Sequence, residues 1–161
     1  MSITHRFAAQ EDVDTLICLR FAYLEEDQGA LDPGARSILR QQLSSYFPRA
    51  LGSTLVAVLA MDGPLAVSTA CLVITEKPAN LAFPTGKTGV ILNVYTLPAY
   101  RRRGLARRGM EMLIDEARHR GLSSLELSAT EQGRPLYKAL GFTKKKTAYT
   151  PMKLSEVNPK S

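Results

Sequence analysis

The sequence has no tryptophan, two cysteines, two histidines and no stretch approaching the roughly 18 consecutive apolar residues of a spanning helix. Each absence removes a class of protein. Without a long apolar run the chain is not expected to cross a membrane. The opening Met1-Ser2-Ile3-Thr4-His5-Arg6 also lacks the apolar stretch of a signal peptide, so a cytoplasmic location without a membrane partner is expected. Cys18 and Cys71 stand far apart in unlike contexts, which gives neither a metal-ligand spacing nor a disulfide framework; buried, reduced thiols and no metal are expected. Neither Gly-x-Gly-x-x-Gly nor a Gly-Lys-Ser/Thr loop occurs, so the common nucleotide-binding loops are excluded. There is no internal repeat and no low-complexity segment.

What is present fits one domain. The 161 residues, 45% of them hydrophobic, suffice for a single core, expected over 1–154 and followed by a polar tail, 155–161. The net charge of +6 and pI of about 9.5 favour an anionic partner. Basic residues gather in 101–108, in Arg118-His119-Arg120 and in Lys144-Lys145-Lys146. The lysine triplet reads equally as a solvated face, whereas the arginine cluster is interrupted by small residues at fixed places.

Periodicity outlines the elements. Ile3 to Ala8 reads as a strand, and Gln10-Glu11-Asp12 as the acidic opening of a helix carrying Val13, Leu16, Ile17, Phe21 and Leu24 on one stripe. A turn at Leu31-Asp32-Pro33-Gly34 precedes a second helix from Ala35 to Phe47, with Ile38, Leu39, Gln42, Leu43 and Phe47 inward and Pro48 as its stop. Leu55 to Ala60 and Leu65 to Thr75 form a hairpin about Met61-Asp62-Gly63-Pro64, and Glu76 to Lys87 is a loop long enough to line a site. Val90 to Leu97 is an apolar strand ended by Pro98; a helix runs from Gly104 to Arg120, with Gly121 as its stop. A half-buried strand through Leu125, Leu127 and Ala129, a short helix from Gly133 to Leu140 and a last strand from Ala148 to Leu154 complete the order. That order predicts an α/β fold with a mixed sheet and a right-handed parallel strand-helix-strand crossover between Val90 and Ala129.

The turn from Arg101 to Ala106 lies between a strand and a helix, where free N–H groups point outward and the helix dipole favours negative charge. Gly104 and Ala106 lack bulk, so a diphosphate can approach the main chain, and the arginines add attraction. Taken alone, Arg-x-x-Gly-x-Ala is more often simply an arginine-rich helix start. Its context decides. Leu97-Pro98-Ala99-Tyr100-Arg101-Arg102-Arg103-Gly104-Leu105-Ala106 resembles the acyl-CoA-binding motif of the GNAT superfamily of N-acetyltransferases. Downstream, Pro135-Leu136-Tyr137-Lys138-Ala139-Leu140-Gly141-Phe142 resembles that family's Leu-Tyr-x-x-x-Gly-Phe signature, so the likeness extends over residues 89–142.

The resemblance implies a single-domain GNAT-like fold, with a mixed, mostly antiparallel sheet, a central parallel crossover and helices on both faces. It implies acetyl-CoA as cofactor and a small-molecule or peptide amine as acceptor, and it allows a homodimer. By that likeness the backbone of Val94, Tyr95 and Thr96 would pair with the pantetheine arm where a bulge splays the strand. Arg101 and the amides of Arg102, Arg103, Gly104, Leu105, Ala106 and Arg107 would surround the pyrophosphate. Tyr137 would protonate the departing thiolate, and the N–H of Tyr95 would meet the oxyanion.

Two departures from the family pattern stand out. Asn93 occupies the region where relatives often carry a carboxylate base, which leaves Glu126, Glu131, Glu25 and Glu26 as substitutes. Thr130 stands where relatives often have an asparagine toward the cofactor, and threonine donates one hydrogen bond rather than two. Cys71 has no histidine near it in sequence to activate it as a nucleophile. Two other readings compete: a basic nucleic-acid module, disfavoured by the lack of interleaved exposed aromatics, and a CoA-binding fold that has lost catalysis, suggested by Asn93. The acidic run Glu25-Glu26-Asp27 hints at a cationic acceptor, or simply at a solvated helix end.

Overall fold

The computed structural model describes residues 2–158 and divides into two compact units, Met1–Ser128 and Ala129–Ser161. The first unit holds β1 (Thr4–Phe7), α1 (Val13–Gln28), α2 (Pro33–Ala50), β2 (Leu55–Asp62), β3 (Leu65–Glu76), β4 (Lys87–Thr96), α3 (Leu105–His119) and β5 (Ser124–Glu126). The second holds α4 (Arg134–Ala139). Single turns of 3-10 helix, Gln10–Asp12 and Pro98–Tyr100, lead into α1 and leave β4.

The sheet follows chain order, β1-β2-β3-β4-β5, with every pair antiparallel except β4 and β5. The hairpin turn is shorter than expected, because Asp62 already pairs with Leu65 and leaves a two-residue Gly63-Pro64 connection. Alternation along β2 sorts its side chains to two layers. Leu55, Ala57 and Leu59 join the core with Leu16, Ile17 and Phe21 of α1 and Leu43 and Phe47 of α2. Val58 points the other way, toward Gly109 of α3. Helices therefore cover both faces of a mixed sheet, and β4-α3-β5 is the parallel crossover.

Local chemistry explains the helix ends. Asp32 caps α2 by accepting the Ala35 N–H at 2.8 Å, with Pro33 in the first turn, so this helix starts two residues earlier than periodicity suggested. Pro48 does not stop it. The helix continues to Ala50, since a proline this near the end forfeits one bond only, and its carbonyl accepts from Gln10 Nε2 at 2.8 Å. Ile38, expected inward, is 70% exposed, because Leu39, Leu43, Phe47 and Ala50 define the stripe that meets the core. Past α3, Gly121 is left-handed, and the Leu122 N–H reaches back to the Ala117 carbonyl at 3.0 Å, a Schellman-type closure.

Three further expectations need correction. The strand expected through Leu125, Leu127 and Ala129 is confined to Ser124–Glu126. Residues 148–154 form no strand: Tyr149, Met152 and Leu154 are all largely exposed, and apolar side chains with no ladder partner gain nothing from extended pairing. Cys18 is exposed, being on the outer side of α1, whereas Cys71 is buried in β3.

Candidate functional site

Two features meet at the end of β4. One is a bulge against β3: Cys71 pairs with Leu92 and Thr69 with Tyr95, so two steps on β3 (71 − 69) face three on β4 (95 − 92). The extra residue is accommodated at Asn93, which takes the left-handed φ of 55° that asparagine tolerates better than most residues. The other is a splay. The β4–β5 ladder covers only Thr88 to Val90, and from Ile91 to Thr96 the strand has no β5 partner on that side. A strand edge with unpaired peptide groups is thereby presented beside the bulge.

Beyond Thr96 the chain makes the Pro98–Tyr100 turn and then alternates in handedness: Arg102 has φ 65° and Gly104 φ 75°. Gly104 caps α3, and a side chain placed there would meet nothing within 4 Å, so the space in front of the turn is open. Among the described residues, the main-chain N–H groups of Arg102 through Arg107 have no hydrogen-bond acceptor; the first bond of the helix runs from the Arg108 N–H to the Gly104 carbonyl at 3.1 Å. Left-handed residues alternating with right-handed ones gather such N–H groups into an anion-sized concavity. Six unclaimed donors at the positive end of a 15-residue helix make a seat for a diphosphate.

The arginines divide into different roles. Arg101 is not free to reach an anion: its guanidinium holds both carboxylate oxygens of Glu26 at 2.8 Å and the Thr96 carbonyl at 2.8 Å, and it lies over the Tyr95 ring. It braces the end of β4 against α1. Arg103 stacks on Tyr100, whose hydroxyl donates to Asp62 at 2.6 Å; that bond pushes the phenol above its ordinary range. Arg107 pairs loosely with Glu111 at 3.7 Å, and Arg102 is exposed. Leu105 is buried, while half-buried Ala106 lines a shallow recess with Ser68 and Gly109.

On the α1 side of the bulge the Asn93 side chain is buried and its Oδ1 accepts from Arg20 Nη1 at 3.4 Å. Tyr95 is buried in the same layer, and half-buried Val94 lies between them in the strand. The Thr96 hydroxyl bonds to that of Ser68 at 2.8 Å. Burial pushes the Cys71 thiol up to about 12, which removes it as a nucleophile at neutral pH.

Two of the carboxylates expected as bases already hold guanidinium groups. Glu25 is paired with Arg36, and Glu26 with Arg101. Glu126 is exposed on β5 and pairs in register with Val90. Arg20, which interrupts an otherwise apolar stretch of α1, escaped the sequence reading; its only signal was a charge between Leu19 and Phe21.

In the second unit, the Thr130 oxygen accepts the Gly133 N–H at 3.1 Å and so closes the turn into α4, leaving one proton to donate. Glu131 is exposed in that turn. Gly141 is left-handed at φ 99°, the Phe142 N–H reaches the Tyr137 carbonyl at 2.9 Å, and the two rings pack edge-on at 6.2 Å. The Tyr-x-x-x-Gly-Phe spacing is thus a helix cap with its hydrophobic contact, whatever else the tyrosine does.

The Acetyltransferase (GNAT) family model matches residues 21–142, three-quarters of the chain and both motif regions. The chain belongs to the GNAT acetyltransferase family. Acetyl-CoA is that family's acyl donor. No curated protein matches this GNAT chain in sequence. Among solved structures, a predicted acetyltransferase from Clostridium acetobutylicum with acetyl-CoA is 27% identical, with a TM-score of 0.82 over 94% of this chain and 96% of its own. A GCN5-related N-acetyltransferase from Ralstonia eutropha is 24% identical with a TM-score of 0.79, covering 94% of this chain and 99% of its own. A ribosomal-protein-alanine N-acetyltransferase from Brucella melitensis, 20% identical with a TM-score of 0.65 over 94% of this chain and 99% of its own, shares the GNAT fold. Among the described residues no helix is long and apolar enough to cross a membrane.

Proposed function

We propose that this GNAT chain is an N-acetyltransferase whose catalytic domain spans 1–154 and which acetylates a primary amine by direct attack in a ternary complex. The observation that carries the reading is the row of six unclaimed N–H groups from Arg102 to Arg107 facing open space at Gly104. When bound, acetyl-CoA supplies an activated thioester. The six amides hold its diphosphate, and Arg102 and Arg107 add charge without filling the seat. The splayed edge of β4 at Val94 to Thr96 pairs with the amides of the pantetheine arm, as an extended ligand adds to a sheet.

The N–H of Tyr95 donates to the thioester oxygen as negative charge develops there. The amine nitrogen bonds to the carbonyl carbon, the carbon–sulfur bond breaks, and the Tyr137 hydroxyl gives the sulfur its proton. Asn93 cannot accept the proton released by the amine, and Glu25 and Glu26 are held by guanidinium groups, so that proton passes to water, with Glu126 of β5 as the carboxylate to receive it. Most of the rate gain then comes from holding amine and thioester in line. Calorimetric titration with acetyl-CoA together with thiol release across an amine library tests the proposal. Binding in the micromolar range and release that depends on the amine are expected; no binding of acetyl-CoA refutes it.

A further inference from the structure

The charges on the α1 side of the bulge can be followed one by one. Two members of the acidic run at the end of α1, which suggested a cationic acceptor, are paired within the chain: Glu25 with Arg36 and Glu26 with Arg101. Most paired arginines follow suit, Arg6 with Asp12, Arg107 with Glu111, Arg118 with Asp115 and Arg120 with Glu116. Arginines without a carboxylate, such as Arg40, Arg49, Arg102 and Arg108, are exposed and solvated.

Arg20 differs from both groups. It is half-buried on the inner side of α1, and no carboxylate lies within ion-pair distance of it among the described residues. Its guanidinium rests on the neutral Asn93 oxygen at 3.4 Å, a long contact, with the Tyr23 ring 5.9 Å away. A half-buried cation without a counter-charge keeps its attraction for an anion, and a planar fork of donors beside the bulge is suited to a bidentate one.

We infer that Arg20 reads the acceptor, which is a primary amine bearing an anionic oxygen group, carboxylate or phosphate, within a few bonds of its nitrogen. This rests on the acetyltransferase reading of the bulge, and it reverses the polarity that the acidic run suggested. The anion docks on the two outer nitrogens of Arg20 and presents the amine to the thioester at β4. Polyamines and aminoglycoside-like polycations, which carry no such group, are disfavoured by the same charge.

The test is thiol release by the full-length protein with matched acceptors: amino acids against their amides, aminoalkylphosphonates against the corresponding alkylamines, and spermidine. The expected ratio of kcat/KM for the acid over its uncharged partner is about 10 or more in the wild type. It should fall toward one in Arg20→Gln and be partly restored in Arg20→Lys, a rescue that a purely structural role for Arg20 would not show as a change of ratio. The amino-acid and phosphonate arms separate the two anions. Equal or better turnover of uncharged amines or spermidine overturns the inference and leaves the acetyltransferase reading intact, as does failure of every anionic amine while acetyl-CoA still binds. Loss of acetyl-CoA binding by the wild type instead removes the acetyltransferase reading itself.

Discussion

Replacing Gly104 tests the diphosphate seat, because two separable costs can be worked out there. Gly104 has φ 75°, and an added Cβ meets nothing within 4 Å, so alanine suffers only the left-handed backbone penalty, about 1–2 kcal/mol. For a chain of 161 residues that lowers Tm by about 2–8 °C. Glutamate carries the same backbone penalty and adds a carboxylate facing the anion. At about 5 Å and an effective dielectric near 20, one phosphate charge opposes it with about 3 kcal/mol, or roughly 100-fold in affinity. Calorimetry with acetyl-CoA should therefore find Gly104→Glu bound about 100-fold more weakly than Gly104→Ala, although the two melt within a few degrees of each other. The gap should shrink at 1 M salt, where the screening length is about 3 Å. Equal affinity of the two variants, or a gap indifferent to salt, refutes an anion seat at this turn.

Other outcomes follow from single contacts. Tyr137→Phe keeps the ring that packs on Phe142 and removes only the hydroxyl, so turnover should fall by at least about 10-fold with acetyl-CoA affinity nearly unchanged; equal kcat in the two proteins excludes the tyrosine as acid. Gly89→Ala drives a Cβ to within 2.5 Å of Leu72 Cδ1 and 2.8 Å of both Leu122 and Leu125, and overpacking of about 1–2 kcal/mol should appear as a lower urea midpoint. The Arg6 guanidinium and the Ala9 N–H hold buried Asp12 below the usual carboxylate range despite its burial. A carboxylate whose folded-state pKa is depressed contributes stability above its unfolded pKa of about 4 and loses it as pH falls through the folded value. Asp12→Asn should thus be less stable than wild type at pH 7, and the difference should shrink as pH falls below the unfolded pKa of about 4; a difference that stays constant or grows over that fall would contradict this.

Much of the fold was legible because it is encoded locally. Glycines at 104, 121 and 141 mark left-handed positions, and each lies at a helix end. The apolar stripe of α3 recurs as Met110, Leu113 and Ala117, all buried. Where reading failed, a non-local contact had decided. Ile38 matched the helical spacing yet faces solvent, because only the packing of α2 against α1 selects which stripe is inward. Pro48 fails to end α2 because it falls in the last turn, where one missing bond is tolerated.

The candidate site divides in the same way. The Arg101 to Ala106 turn and the Tyr-x-x-x-Gly-Phe cap are short-range structures, so the sequence alone determined the family, the helix start with its free amides and the closure of α4. The tertiary structure decided the register that forces Asn93 into the bulge, the point where β5 leaves β4, and the pairing of charges. Glu26 is neutralised by Arg101 from 75 positions away, and Arg20 is left facing Asn93 from 73 positions away. Ion pairs and strand register depend on which segments the topology brings together, and residue spacing along the chain carries no measure of that distance.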